Sequence, residues 1–207
     1  LLGFNLEDHA KLSKFIGNRI GVSRDRIFIA SSHTHGGPAC MRLLGCGEIY
    51  RPWFDRRLPQ SLAAVATAAR QGKKSCELMV TKGSADLASN RRADWNASRP
   101  VGTRDSEVVC AFFRDRKTRD LLGVIYNLAC HPYVSLMSRF ITADFPGAAS
   151  QKLETIFPGS TALFLNGASA DLQPLRAKGE PFSKVEKFGS RLAKVVSTSL
   201  KKKSRWS

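Results

Sequence analysis

A chain of 207 residues that is 43% apolar can bury a sizeable core and fits one domain. Its 33 basic against 17 acidic residues leave a net charge of +16, yet no zinc-finger spacing, RNP aromatics or recognisable helix-turn-helix accompanies that charge. The longest apolar stretch, residues 121–137, is interrupted by Asn127 and His131-Pro132, which excludes a helical membrane span.

In chain order, residues 6–19 predict a helix with Leu12, Phe15 and Ile16 on one face and Gly21 as its stop. Ser23-Arg24-Asp25 turns into Arg26-Ile27-Phe28-Ile29-Ala30, an apolar, β-branched run expected to form a buried strand. Residues 53–70 predict a helix, open to a break at Pro59, with Leu58, Leu62, Val65, Ala66 and Ala69 inward. A short strand is expected at 77–81, then a long irregular loop over 83–104. Residues 107–114 and 121–128 read as a hairpin around a charged turn. Asp144-Phe145-Pro146 opens a helix running to about Phe157, with Asp144 as its cap. A buried strand follows at 161–166. A last helix over 184–201 turns Phe188, Leu192, Val195 and Val196 inward. Strands and helices alternate, which predicts an α/β domain over 1–207: a mixed β-sheet covered by helices.

The chemistry concentrates in two motifs. Ser31-Ser32-His33-Thr34-His35-Gly36-Gly37-Pro38 holds two imidazoles two residues apart, ended by breakers. Asn127-Leu128-Ala129-Cys130-His131-Pro132 places another at the end of an apolar run. With only four histidines in the chain, two such motifs at expected strand C-terminal ends, where α/β folds keep their ligand sites, point to one metal site. Neutral imidazole suits zinc. The two coordinating nitrogens of His33 and His131 are then expected within about 3 to 4 Å of each other, although almost a hundred residues separate them in sequence. His9 reads as a surface residue on the first helix. Five cysteines, Cys40, Cys46, Cys76, Cys110 and Cys130, lack metal spacing and read as buried thiols, Cys130 as core rather than ligand. The basic clusters at Arg51, Arg56 and Arg57, at Arg70, Lys73 and Lys74, and at 201–203 read as solvated surface, with attraction to an anionic membrane as the alternative.

Taken together, the His33–His35 motif, Asn90-Arg91-Arg92, the His131 motif, Asp144-Phe145-Pro146-Gly147 and Asn166-Gly167-Ala168-Ser169-Ala170-Asp171-Leu172-Gln173-Pro174 resemble the N-terminal catalytic domain of the neutral/alkaline, non-lysosomal ceramidases and their bacterial relatives. The resemblance implies a zinc-dependent hydrolase that cleaves an N-acyl amide by attack of a metal-activated water. It implies that His33 and His131 hold the zinc, that His35 acts as acid/base, and that Arg91 stabilises the oxyanion or orients the substrate. Gly37, Asn90, Asp144 and Asp171 are then candidates for substrate binding or for positioning the ligands. The implied partner is a lipid-like N-acyl substrate, ceramide or an analogue, and the implied location is secreted or periplasmic. A chain that starts on Leu1 and enters a helix at once is expected to be an internal piece, incomplete at both ends, with the glutamate and tyrosine that complete the family's zinc site lying outside it. Two departures stand out. Ala170-Asp171-Leu172-Gln173-Pro174-Leu175 occupies the place of the Gly-Asp-x-Ser-Pro-Asn motif of ceramidases, and Arg92 replaces the serine after Asn-Arg. They leave open a metallohydrolase of the same scaffold acting on another ester or amide, or an inactive or basic module binding anionic lipid or nucleic acid.

Overall fold

The computed structural model describes residues 1–42, 48–135, 140–201 and Trp206. Cys46, Met137, Lys202 and Lys203 lie outside them. The chain divides into two compact units: Leu1–Ser31 with Gly37–Lys74, and Ser32–Gly36 with Ser75–Ser207.

In the smaller unit, α1 (Leu6–Ile20) buries Leu12 and Ile16 and ends as expected at Gly21, whose φ of 62° is the left-handed conformation glycine adopts without strain. A wide helical turn over Trp53–Arg57 leads into α2 (Leu58–Gln71). Pro59 sits in the first turn of α2, where its missing N–H has no intrahelical partner to lose, so it opens the helix rather than breaking it. Leu12, Cys40, Ile49, Phe54 and Leu58 form the core of this unit, with Leu62 packed against it. Two expectations fail here. Val65 is 69% exposed and Ala69 is exposed; the buried residues of α2 are Leu58 and Ala63. Residues 26–30 form no strand. Arg24–Arg26 is a 3₁₀ turn, Ile29 packs on the core, and Phe28 is 82% exposed. The alternation is present, but among the described residues no neighbouring strand accepts its hydrogen bonds.

The larger unit is built on a four-stranded mixed sheet. Its strands are β1 (Cys76–Ser84), β3 (Glu107–Asp115), β4 (Leu121–Leu128) and β5 (Thr161–Asn166), adjacent in that order. The first three pair antiparallel, and β4 with β5 pairs parallel. The segment expected to be a loop at 83–104 is shorter than predicted. Gly83 and Ser84 continue β1, and β2 (Ala88–Asn90) pairs antiparallel with β6 (Leu172–Pro174) in a second, two-stranded sheet. Three-residue strands carry too little periodicity to be seen in sequence.

Alternation decides which sheet face is buried. Val108, Cys110 and Phe112 of β3 and Val124, Tyr126 and Leu128 of β4 all point into one core. That core is closed by Phe145 and Leu153 of α3 (Asp144–Ile156) and by Phe188, Leu192 and Val196 of α4 (Pro181–Ser199). The two helices approach closely at Gly189, where an added Cβ would lie 2.5 Å from Ala148 Cβ. The architecture is therefore α/β, with a mixed sheet and helices packed on it. Among the described residues no helix is long and apolar enough to cross a membrane, and Cys40, Cys76, Cys110 and Cys130 are free thiols.

At the start of β1, Arg114 and Arg119 both donate to Glu77 Oε2. The hydrogen bond from Arg114 is the main reason that the Glu77 carboxyl lies below its ordinary pKa of 4.5. A depressed carboxylate contributes stability above its unfolded pKa and loses it as pH falls through the folded one. Glu77→Gln is therefore expected to lower the melting temperature modestly at pH 7, with the gap to wild type closing as pH drops below about 4. Thermal melts across that range check it.

Candidate functional site

The site sits at the C-terminal ends of the parallel pair β4 and β5. Beyond Leu128 the chain bends, and His131 N–H donates to Leu172 O at 2.9 Å. Beyond Asn166 it turns through Gly167, whose Cα approaches Ala129 so closely that an added Cβ would sit 3.0 Å from that residue's backbone. This turn delivers the Ser169 carbonyl to the His131 ring, with Nδ1 2.7 Å from the oxygen. A carbonyl only accepts, so Nδ1 carries the proton and donates. The Nε2 lone pair is left free to ligate.

The His33–His35 segment is stitched to this frame. His35 N–H donates to Pro132 O at 3.4 Å, Thr142 N–H donates to Gly36 O at 2.8 Å, and Thr34 Oγ1 donates to Thr142 O at 2.8 Å. Gly36 has no room for a side chain, since a Cβ there would meet Thr142 Cγ2 at 2.5 Å. His33 takes φ 63°, a left-handed conformation uncommon outside glycine, asparagine and aspartate and concentrated at functional sites.

Three imidazoles converge as a result. Ring centroids are 5.0 Å apart for His33 and His131, 5.4 Å for His33 and His35, and 5.6 Å for His35 and His131. One nitrogen of each lies within 4.8 Å of the others. His33 and His131 come together with His35 beside them, their ligand nitrogens within 4.8 Å, against roughly 3 to 4 Å expected for His33 and His131. His9 stays apart, half-buried on α1 and hydrogen-bonded to Ser13.

Electrostatics favour the uncharged forms of His35 and His131. Burial, then the neighbouring His33 and His131, lower the His35 pKa to about 4, with Arg91 adding to the effect and Asp144 opposing it. Burial also lowers His131. Three imidazole nitrogens, one fixed in its tautomer by a backbone carbonyl, are a set that suits zinc.

Arg91 borders the same cluster. Its backbone N–H donates to Asp171 O at 2.9 Å, its guanidinium lies 5.7 Å from the centre of the Trp95 ring, and it hydrogen-bonds the Tyr133 side chain. Asn90 and Asp171 hold that loop. Asn90 Nδ2 donates to Asp171 Oδ2 and to Thr103 O, each at 2.9 Å, and Asn90 Oδ1 accepts from Arg92 N–H. These two residues thus hold the loop that carries Arg91. Asp144 is not the helix cap expected. Ala143 occupies that place and Asp144, at φ 54°, is the first helical residue. Its buried carboxyl accepts from the backbone N–H groups of Val134, Ser135 and Phe145 and from Ser135 Oγ. It ties the chain just after His131 to α3. Gly37 falls in the smaller unit. Cys130 is fully buried, and burial pushes its thiol pKa up, which fits core and not ligand.

Tyr133 is the residue that sequence reasoning missed. Its ring centroid lies 5.3 Å from those of both His35 and His131. The sequence carried no signal for it, because a tight turn, in which Tyr133 N–H donates to His131 O at 3.0 Å, brings its ring round. Gln173 holds it, with Oε1 accepting from the Tyr133 hydroxyl at 3.3 Å while Nε2 donates to Trp95 O at 2.7 Å and Asp94 O at 3.2 Å. A groove of about 910 Å³ lies between α1 and α2 and is lined by Phe15, Asn18, Gln60 and Thr67, with no cluster of metal-ligating groups among the described residues.

The chain is similar in structure to neutral ceramidase from Pseudomonas aeruginosa, with a TM-score of 0.74 and 18% identity over 94% of this chain and 35% of that one. It is similar also to a ceramidase complexed with C2, with a TM-score of 0.72 and 17% identity over 94% and 34% respectively. The chain thus spans about a third of the length of these structures and shares their fold over that span. No family model and no curated protein matches its sequence.

Proposed function

We propose that this chain carries the metal-binding half of a zinc-dependent hydrolase that cleaves N-acyl amide bonds in lipid-like substrates. The observation that carries the reading is the convergence of His33, His35 and His131 beside Arg91 and Tyr133, on the fold of ceramidases. His33 and His131 would hold the metal, with His35 as the neighbouring base. Zinc bound there would act as a Lewis acid on an amide carbonyl and lower the pKa of water.

The remaining work falls to side chains of this chain. His35 is neutral at pH 7, so it accepts a proton from the attacking water and passes it to the departing amine nitrogen. Arg91 supplies a permanent positive charge to the negative charge that develops on the carbonyl oxygen. The hydrogen bond between Arg91 and Tyr133 keeps that charge beside the histidines. The Ser169 carbonyl keeps His131 in the tautomer that ligates. No step needs a serine at 173, where Gln173 offers only an amide already committed to three hydrogen bonds.

Hydrolysis of N-acyl amides by the protein is expected to disappear after exhaustive chelation and to return with added zinc. Turnover that persists in protein shown to be metal-free by elemental analysis would reject the reading.

A further inference from the structure

His131 is set in a closed ring of hydrogen bonds. Its backbone N–H donates to Leu172 O at 2.9 Å, and Leu172 N–H donates to Ser169 O at 2.8 Å. The same Ser169 oxygen accepts from His131 Nδ1 at 2.7 Å. The ring fixes these three residues relative to one another. A side-chain bond then joins Ser169 to the sheet. Asn166, the last residue of β5 and the register partner of Leu128, donates from Nδ2 to Ser169 Oγ at 2.9 Å. In the turn Gly167-Ala168-Ser169-Ala170, serine alone has a polar side chain, and it is buried between two exposed alanines. The other end of the Asn166 amide is left over. Its Oδ1 is buried with no hydrogen-bond partner among the described residues. A buried acceptor without a donor costs stability, and a β-branched apolar side chain would suit the end of a strand better.

We propose that Asn166 is a positioning residue for the metal site, acting through Ser169 on His131. Its Nδ2 bond keeps the Ser169 residue from rotating. The Ser169 carbonyl then stays on His131 Nδ1, and the Nε2 lone pair stays available. Without that bond the carbonyl is free to swing away, and the ring proton can move to Nε2, the form that cannot ligate there. The amide adds neither charge nor a ligand, so its effect reaches the site through the orientation of one ring. The orphaned oxygen is the cost of presenting the amide's donor end to Ser169. The proposal rests on the reading of His131 as a metal ligand.

The variants Asn166→Val, Ser169→Ala and the two combined test this. Nitrogen NMR of the imidazole rings in metal-free protein, at alkaline pH, reads which nitrogen of His131 carries the proton. Competition with a chromophoric chelator reads zinc affinity, and a thermal melt reads the fold. Each single variant is expected to raise the Nε2-protonated share and to weaken zinc binding about tenfold, the lower end of what outer partners of a metal site contribute. The double variant should bind zinc no more weakly than either single one, because both act through one bond. It leaves none of these polar atoms stranded, so its melting temperature is expected at or above that of the wild type, which a merely structural bond would not allow. Tautomer and affinity unchanged in the double variant, affinity that falls with the tautomer unchanged, additive losses from the two single changes, or affinity lost only in step with melting temperature would overturn the proposal. If the wild type binds no zinc while the tautomer still shifts in the variants, the metal reading fails and the positioning of His131 by Asn166 stands.

Discussion

His131→Ala is expected to lower zinc affinity by about a hundredfold or more, the upper end of what even outer positioning partners of a metal site contribute. The reason lies in its preparation. The Ser169 carbonyl fixes Nδ1 as donor, and the backbone N–H of His131 is fixed by Leu172 O, so the ring is presented to the other histidines with little freedom to lose. His33→Ala should show a loss of the same order. His35→Ala should separate the roles, retaining most of the zinc affinity while N-acyl hydrolysis falls by about 10²- to 10⁴-fold, the range of a general base. Competition with a chromophoric chelator measures the first quantity and steady-state kinetics the second. Zinc affinity unchanged in both His33→Ala and His131→Ala would remove these rings from the metal site. Affinity lost in His35→Ala as well would make His35 a third ligand.

The second large effect is on stability. Asp144→Ala is expected to destabilise the fold by about 3 to 5 kcal/mol, since it strands several buried donors at once. Its carboxyl, 1% exposed, is the acceptor for Val134, Ser135 and Phe145 N–H and for Ser135 Oγ. A left-handed residue replaced by alanine adds strain. Asp144→Asn should cost less, because it keeps one acceptor oxygen and tolerates φ 54°. Urea denaturation of the three proteins orders them. A cost below about 1 kcal/mol for Asp144→Ala would mean that water replaces the carboxyl without penalty.

What could be read from sequence follows from how local its cause is. The helices announced themselves through spacing and stops, as α1 shows with Leu12, Ile16 and Gly21. The β3–β4 hairpin did so through alternation on both sides of one charged turn. The strand expected at 26–30 failed because alternation reports a propensity to pair, whereas a strand requires a neighbour. β2 and β6 were invisible because each is fixed by the other across the chain. The histidines were legible because chemistry limits what two such motifs can do. Tyr133 was not, since only the fold brings its ring beside theirs.

The three hydrogen bonds of Gln173 also bear on how such a site can change over generations. A serine at that position would have one short hydroxyl in place of a two-ended amide. The carbonyls of Asp94 and Trp95 and the hydroxyl of Tyr133 would then compete for a single partner. Asp94 and Trp95 are exposed and Tyr133 is half-buried, so each bond lost costs about 0.5–1.5 kcal/mol. A lineage holding glutamine here cannot reach serine by one substitution without passing through a less stable protein, unless the 94–95 turn and Tyr133 change with it.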